Sequence, residues 1–250
     1  MYLEAKDVVF NRGRFSLQNV SFRSDGGTIT GIGGRNGSGK STLLRALYGF
    51  HHITAGDVFI GGKRLSSMGP REISRRISVV SQEVSEPFNF TVGEVVSISG
   101  YSLEKKNSRI SDVLEICGIG ELENRPFNEI SGGERRLVLI AAAIYQDADI
   151  LLLDEPTAFL DVDKEIRVID ILRKLRDLGK NIIVVLHDVN LLYRICDRVV
   201  LIRDGKIVAT GPRDEVMTIQ NLNKTYSVEF TILEGEGPYR FAPRYFNGSG

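Results

Sequence analysis

The densest chemistry in the sequence lies in Gly34-Arg35-Asn36-Gly37-Ser38-Gly39-Lys40-Ser41-Thr42. The spacing G-x-x-x-x-G-K-[ST] suits a loop whose glycines turn successive backbone N–H groups inward on phosphate oxygens. A helix starting at the loop adds unpaired N–H groups and the positive end of its dipole. Lys40 would reach the outer phosphates as a point charge, and the Ser41 hydroxyl would ligate Mg²⁺. The plain alternative is a glycine-rich turn before an ordinary helix. The flanks argue against it: Thr28–Ile32 is strand-like and Leu43–Leu47 opens a helix, the strand–loop–helix setting such a site needs.

Four further places could join that loop. Asp154-Glu155-Pro156-Thr157 follows the apolar run Ile150–Leu153. Ligands of parallel sheets sit at the carboxyl ends of strands, so both carboxylates should face the loop. Asp154 is placed to hold Mg²⁺ and Glu155 to polarise a water in line with the terminal phosphate; otherwise this is a solvated acidic turn. Gln82 ends a second buried strand, where its amide could ligate Mg²⁺, orient water or merely close the strand. His187 follows the apolar run Ile182–Leu186 and could sense a terminal phosphate, although a lone histidine is more often structural. Ser131-Gly132-Gly133-Glu134 precedes a long helix. Ser131 and Glu134 form a capping-box pattern, and the two glycines leave first-turn N–H groups unshielded, a second anion-type site. His51 and His52 read as solvent-facing.

The elements that must position these residues can be read coarsely. Residues 1–33 alternate like an antiparallel sheet leading into the phosphate loop, with Asp25-Gly26-Gly27 as a hairpin-type turn. Pro70–Arg76 reads as a short helix and Ile77–Gln82 as a buried strand, followed by a loop over 83–89. Thr91–Ser99, with Thr91 and Glu94 as a capping box, and Ile110–Cys117 read as helices. Asp163–Leu178 is amphipathic, with Ile166, Ile169, Leu172 and Leu175 as its stripe and Asp170/Lys174 as an i,i+4 pair. Strands apolar on both faces and alternating with helices predict a parallel sheet covered on both sides. The chain is expected to form one domain over 1–246. Within it 1–82 and 145–215 make an α/β core with an antiparallel β lobe, 83–144 a helical subdomain, and 216–246 a tail with no assigned place; 247–250 is a flexible end.

Composition narrows the function. The 32 basic and 32 acidic residues balance, and no basic stripe marks a nucleic-acid partner. Cys117 and Cys196 are far apart, outside metal-type spacing, and read as reduced thiols. The N-terminus lacks signal character and no apolar run could span a bilayer. A soluble chain is expected, reaching a membrane only through a partner.

Together these residues resemble the ATP-binding-cassette (ABC) transporter ATPases, over about residues 1–215. The order is phosphate loop Gly34–Thr42, Q-loop Gln82, signature Ile130-Ser131-Gly132-Gly133-Glu134, Walker B Leu151–Thr157, D-loop Ala158-Phe159-Leu160-Asp161 and switch His187. The resemblance implies a RecA-like P-loop NTPase core with a mainly parallel sheet, an N-terminal antiparallel β subdomain and an inserted α-helical subdomain. It implies ATP and Mg²⁺ as cofactors and a head-to-tail homodimer, one chain's phosphate loop facing the other's Ser131–Glu134. It also implies a coupling helix from an integral membrane permease docked on the helical lobe, with an extracytoplasmic substrate-binding protein as an indirect partner. Glu155, His187, Lys40 and Gln82 would then be catalytic, and Ser41, Gln82 and Asp154 would serve the metal. Phe90-Thr91-Val92-Gly93-Glu94-Val95-Val96 is similar to a segment of the iron-siderophore, haem and cobalamin importer ATPases. That similarity implies metal-chelate import from the cytoplasmic face of the cell membrane. The rival readings are a cassette ATPase with no transporter, serving assembly or maintenance of another complex, and a nucleotide-gated scaffold. Three departures stand out: Ile130 for the usual Leu, Ala158 for Ser, and Arg12 where a tyrosine usually stacks on adenine. Arg12, Phe10 or Phe15 could take that last role.

Overall fold

A computed structural model describes residues 1–13, 15–81, 90–102, 109–233 and 240–244. Gln82 and the 83–89 loop expected beside it lie outside the described residues.

The chain opens with β1 (Leu3–Arg12), β2 (Phe15–Ser24) and β3 (Thr28–Gly33), then α1 (Lys40–Leu47), β4 (Ala55–Ile60) and β5 (Lys63–Arg64). Next come α2 (Pro70–Arg76), β6 (Ile77–Val80), α3 (Val92–Ser99), α4 (Ile110–Cys117), α5 (Gly132–Tyr145), β7 (Ile150–Asp154) and α6 (Val162–Asp177). The last third holds β8 (Asn181–Val185), α7 (Val189–Ile195), β9 (Arg198–Arg203), β10 (Lys206–Pro212), α8 (Arg213–Val216), α9 (Ile219–Tyr226), β11 (Phe230–Ile232) and β12 (Phe241–Pro243). One sheet has the order β10-β9-β3-β8-β7-β6; β10 is antiparallel to β9 and the other pairs are parallel. A second sheet, β2-β1-β4-β5, is antiparallel. This is the expected α/β architecture with a β lobe.

The parallel strands are apolar on both faces because two cores need them. Leu151, Leu153, Ile182 and Val184 face a core shared with α3, α4, α5 and α6. Their neighbours Ile150, Leu152, Ile183 and Val185 face a core shared with α1 and the antiparallel lobe. Period-2 alternation thus feeds two apolar layers and leaves the polar chemistry to the strand ends. Register decides where those ends lie. Ile32 pairs with Val185, and Val185 with Asp154. The loops after β3, β7 and β8 therefore leave one edge side by side.

Several local readings change. β3 does not continue the antiparallel sheet. Gly27 N donates to the Gly179 and Lys180 carbonyls (3.1 and 2.9 Å), so the turn passes from one sheet to the other rather than closing a hairpin. β1 also runs on through Asn11 and Arg12. On α6, Ile169, Leu172 and Leu175 are buried as read, while Ile166 is exposed and Val168 and Ile171 join the buried face. Asp170 meets Arg173 at 3.8 Å rather than Lys174. His51 is not solvent-facing: it stacks on Phe10 with ring centroids 4.6 Å apart. The tail gains a place, with β11 and β12 forming an antiparallel pair.

The two sheets are joined by a fully buried polar cluster. Ser24 Oγ donates to Asn181 Oδ1 at 2.6 Å and lies 2.8 Å from Thr30 Oγ1, and Asn181 Nδ2 donates to the Ser24 carbonyl at 2.9 Å. Removing one member strands the rest without water. Asn181→Ala is therefore expected to cost about 2–3 kcal/mol of stability by urea unfolding; a loss below about 0.5 kcal/mol would show that the cluster does not hold the lobes together.

Candidate functional site

The phosphate loop runs from β3 into α1. Gly39, at φ +107°, caps the helix in a conformation an L side chain rarely adopts. A Cβ there would also lie 2.5 Å from the Phe15 ring. Lys40 is buried, and its ammonium donates to the carbonyls of Gly34 and Arg35 at 2.9 and 3.0 Å. Burial lowers its pKa, opposed by the charges of Glu155 and Asp154. The loop borders a cleft of about 500 Å³ whose lining includes Phe15, Asn36, Lys40, Ser41, Glu155 and His187.

The aligned strand ends deliver the acidic residues to this cleft. Ser41 Oγ donates to Asp154 Oδ1 at 3.0 Å, joining α1 to the end of β7. Asp154 is buried, and burial raises its carboxyl above the usual range; the Ser41 hydrogen bond works against that and the Glu155 charge adds to it. Glu155 takes φ +53°, turning the chain out of the sheet, while its N–H still reaches the Val185 carbonyl at 3.2 Å. A left-handed glutamate costs on the order of 1 kcal/mol and aims the side chain at the cleft. There the Glu155 carboxylate accepts a hydrogen bond from His187 Nε2, delivered by the neighbouring strand β8. Lys40, Ser41, Asp154, Glu155 and His187, spread over about 150 residues of sequence, meet at one cleft.

The second anion-type site stands apart. Ser131 Oγ accepts from Glu134 N at 3.3 Å, and the Glu134 carboxylate accepts from Ser131 N at 2.8 Å. Hydrogen bonds from the Ser131 hydroxyl and then from its N–H hold the Glu134 carboxyl below its usual range. The cap thereby uses the N–H groups of Ser131 and Glu134. Those of Gly132 and Gly133 lie at the open end of α5, and a Cβ on Gly132 would meet nothing within 4 Å. Ser131–Glu134 does not line the cleft of its own chain. Close by, Phe159 in the turn after Glu155 is 96% exposed at φ +61°, and Val162 is exposed too.

Of the three candidates for the adenine contact, Phe15 lines the cleft, while Phe10 is occupied by His51 and Arg12 is exposed. Two features escaped the sequence reading. Arg136 is buried on α5 and donates to the Ser81 carbonyl at 2.8 Å. Burial lowers its pKa while the charges of Asp154 and Glu155 raise it, so this helical cation lies within electrostatic reach of both carboxylates. Its signal was a charge opening the apolar run Leu137–Ile144. The second is the tail, whose Tyr226 hydroxyl is buried beside Gly33 and Gly34. Burial pushes the Cys117 thiol up to about 12 and that of Cys196 higher still, so neither supplies a thiolate.

Comparison with known proteins bears on this geometry. The family model described as "ABC transporter" matches residues 17–158. The chain is 35% identical over 241 residues to the hemin import ATP-binding protein HmuV of Rhodopseudomonas palustris (strain HaA2), covering 92% of each. It is 34% identical over 223 residues to the cobalamin import ATP-binding protein BtuD of Halobacterium salinarum, covering 86% of this chain but 56% of that one. The chain thus spans little more than half the length of that relative. Among solved structures, an ABC transporter described as metal-chelate type, in an inward-facing conformation, aligns with TM-score 0.80 at 26% identity over 98% of both chains. The dimeric post-hydrolysis state of the cassette MJ0796 bound to ADP and Pi aligns with TM-score 0.76 at 26% identity, over 84% of this chain and 98% of that one.

The buried Asp154 carboxylate carries a testable cost. Its pKa is raised, so the fold favours the protonated form. That contribution is present below the unfolded carboxylate value and is lost as pH rises toward the raised one. Asp154→Asn removes the charge at every pH. It is expected to stabilise the chain at pH 7 by about 1 kcal/mol in thermal unfolding without nucleotide, while abolishing Mg²⁺-dependent ATP hydrolysis. A lower melting temperature at pH 7 would show that the charge is compensated.

Proposed function

The chain belongs to the ABC transporter family, and from that premise we propose that it energises import of a haem-, cobalamin- or other metal-chelate-type cargo through a separate membrane permease. Within this reading it is an ATP-hydrolysing subunit, peripheral on the cytoplasmic face of the membrane. The observation that carries the hydrolytic role is the Glu155–His187 contact at the mouth of the phosphate loop. The importer role is supported by similarity to hemin and cobalamin import ATP-binding proteins over most of this chain. No helix among the described residues is long and apolar enough to cross a membrane.

The adenine base stacks on Phe15, the aromatic side chain of the cleft wall. Backbone N–H groups of Gly37–Thr42 hold the phosphates. Lys40 leaves the Gly34 and Arg35 carbonyls for the terminal phosphates. The Ser41 hydroxyl beside the Asp154 carboxylate is a pair of hard oxygen donors, the kind that suits Mg²⁺, and Gln82 would add an amide oxygen. When bound there, Mg²⁺ neutralises charge on the phosphate oxygens. Glu155 orients the attacking water and takes its proton as the new P–O bond forms and the bridging bond to the terminal phosphorus breaks. His187 holds Glu155 in place and reports loss of the phosphate.

A second copy, arranged head to tail, completes each site. Ser131, Gly132 and Gly133 present N–H and O–H donors that their own cleft does not use. The exposed Phe159 and Val162 would be covered by the partner copy in this reading. Closure by ATP and reopening after hydrolysis would move the permease as rigid bodies.

Two measurements test this reading. Glu155→Gln is expected to lower ATP turnover by at least about 100-fold while keeping ATP binding, and to trap an ATP-dependent dimer in size-exclusion chromatography. Turnover at the parent rate would remove Glu155 from the mechanism. Affinity isolation of the chain from gently solubilised native membranes is expected to bring a multi-span permease in stoichiometric amount. Recovery with soluble proteins alone, and absence from the membrane fraction, would favour a cassette ATPase that serves another complex.

A further inference from the structure

Helix α7 begins two residues after His187, and its first turn is engaged on two sides. Asp188 Oδ1 caps it, accepting from Asn190 N at 2.7 Å and Leu191 N at 3.1 Å. The Asn190 side chain faces the C-terminal pair β11–β12. Its Oδ1 accepts from the backbone N–H groups of Arg240 and Phe241, both at 2.8 Å, and its Nδ2 donates to the Phe241 carbonyl at 3.0 Å. One amide thus supplies the hydrogen bonds a neighbouring strand would give β12. One turn on, Tyr193 meets the buried Phe241 ring edge-to-face at 5.5 Å, with the Arg213 and Arg240 guanidinium groups each 4.7 Å from its centroid.

The other strand of the pair leads back to the phosphate loop. Phe230 on β11 packs edge-to-face on Tyr226 at 5.7 Å, and its N–H is held by Asn223 Oδ1 at 2.7 Å. The Tyr226 hydroxyl sits 3.2 Å from where a Cβ on Gly33 would stand. A cavity of about 530 Å³ lies between the tail and the catalytic loops, its wall including Asn36, His187, Tyr226, Phe230 and Pro243. His187 therefore stands between two spaces, the nucleotide cleft on one side and this tail cavity on the other. Half-exposed as it is, the imidazole keeps its contact with Glu155 only if the start of α7 stays in place.

We infer that β11–β12 clamps the switch-histidine helix, with Asn190 the positioning residue through which the clamp keeps His187 on Glu155. The inference rests on the reading of His187 and Glu155 as hydrolytic partners. It gives the C-terminal segment a task in turnover rather than in nucleotide binding. The phosphate-loop groups that bind ATP do not touch Asn190, so loosening the clamp should leave ATP affinity alone.

The test uses the full-length chain. Asn190→Ala is expected to lower kcat about tenfold, the scale of a modest misplacement of a catalytic group, with KM for ATP changed less than about twofold. The chain has three histidines, so the ¹⁵N-imidazole resonance of His187 is identified by its loss in His187→Ala. In Asn190→Ala that resonance should shift toward its position in Glu155→Ala, where the carboxylate partner is gone. Should Asn190→Ala fold poorly, Arg240→Pro removes one N–H donor to Asn190 at an exposed position, with a smaller change in the same direction. An unchanged kcat, or an unmoved His187 resonance with kcat, KM and melting temperature all worse, would overturn the clamp. If His187→Ala hydrolyses ATP at the parent rate, the hydrolytic reading of His187 fails; the resonance shift still judges the clamp.

Discussion

One row of backbone pairing, Ile32 to Val185 to Asp154, governs the rest of the structure. A strand buried on both faces can place polar chemistry only at its ends, and three such strands end together. The loop after β3 curls into a phosphate cradle, β7 ends in the two carboxylates, and β8 delivers His187. A one-residue slip of β7 against β8 would turn Leu151 and Leu153 from one core to the other. It would also pull Asp154 away from Ser41. The apolar alternation that fixes register for packing thus also fixes the site.

The site collects buried charge that the fold alone would not select. Lys40, Arg136, Asp154 and Glu155 are all largely shielded from water, and burial is the largest influence on the first three. Each is disfavoured singly; together they make a set of two cations and two anions. Arg136 has a further effect. Because it comes from α5, whose N-terminus is the capped Ser131–Glu134 turn, and bonds the carbonyl of Ser81, it ties the helical region to the strand end before Gln82. Displacement of α5 would reach the carboxylates through one guanidinium.

What the sequence made legible was what depends on short spacing. Both capping boxes, Thr91/Glu94 and Ser131/Glu134, form as their four-residue patterns imply. Helix α2 starts at Pro70 and ends at Arg76 as read. The doubly apolar strands announced the covered parallel sheet. Distant partners were not legible. Nothing near Gly27 shows that its N–H will meet the α6–β8 connection, so β3 was grouped with the wrong sheet. His51 looked exposed because Phe10, its stacking partner, is some forty residues away. Phe15 could not be chosen over Phe10 and Arg12 until one strand hairpin had turned each side chain to its own surroundings. The interactions of Asn190 that place the tail belong to another part of the chain.

The order of strands in the central sheet also bears on how the chain reaches its fold. β1 finds its partners β2 and β4 within the first sixty residues, so the antiparallel lobe can form early. β3 cannot follow. Its neighbours β8 and β9 begin more than 150 residues downstream, so its apolar faces must await the last third of the chain. Long loop closure of this kind slows folding and leaves an unpaired strand exposed in the meantime. As the chain leaves the ribosome, the phosphate loop is synthesised early but given its shape late. A chain interrupted before Asn181 would therefore carry the whole nucleotide motif without the framework that shapes it.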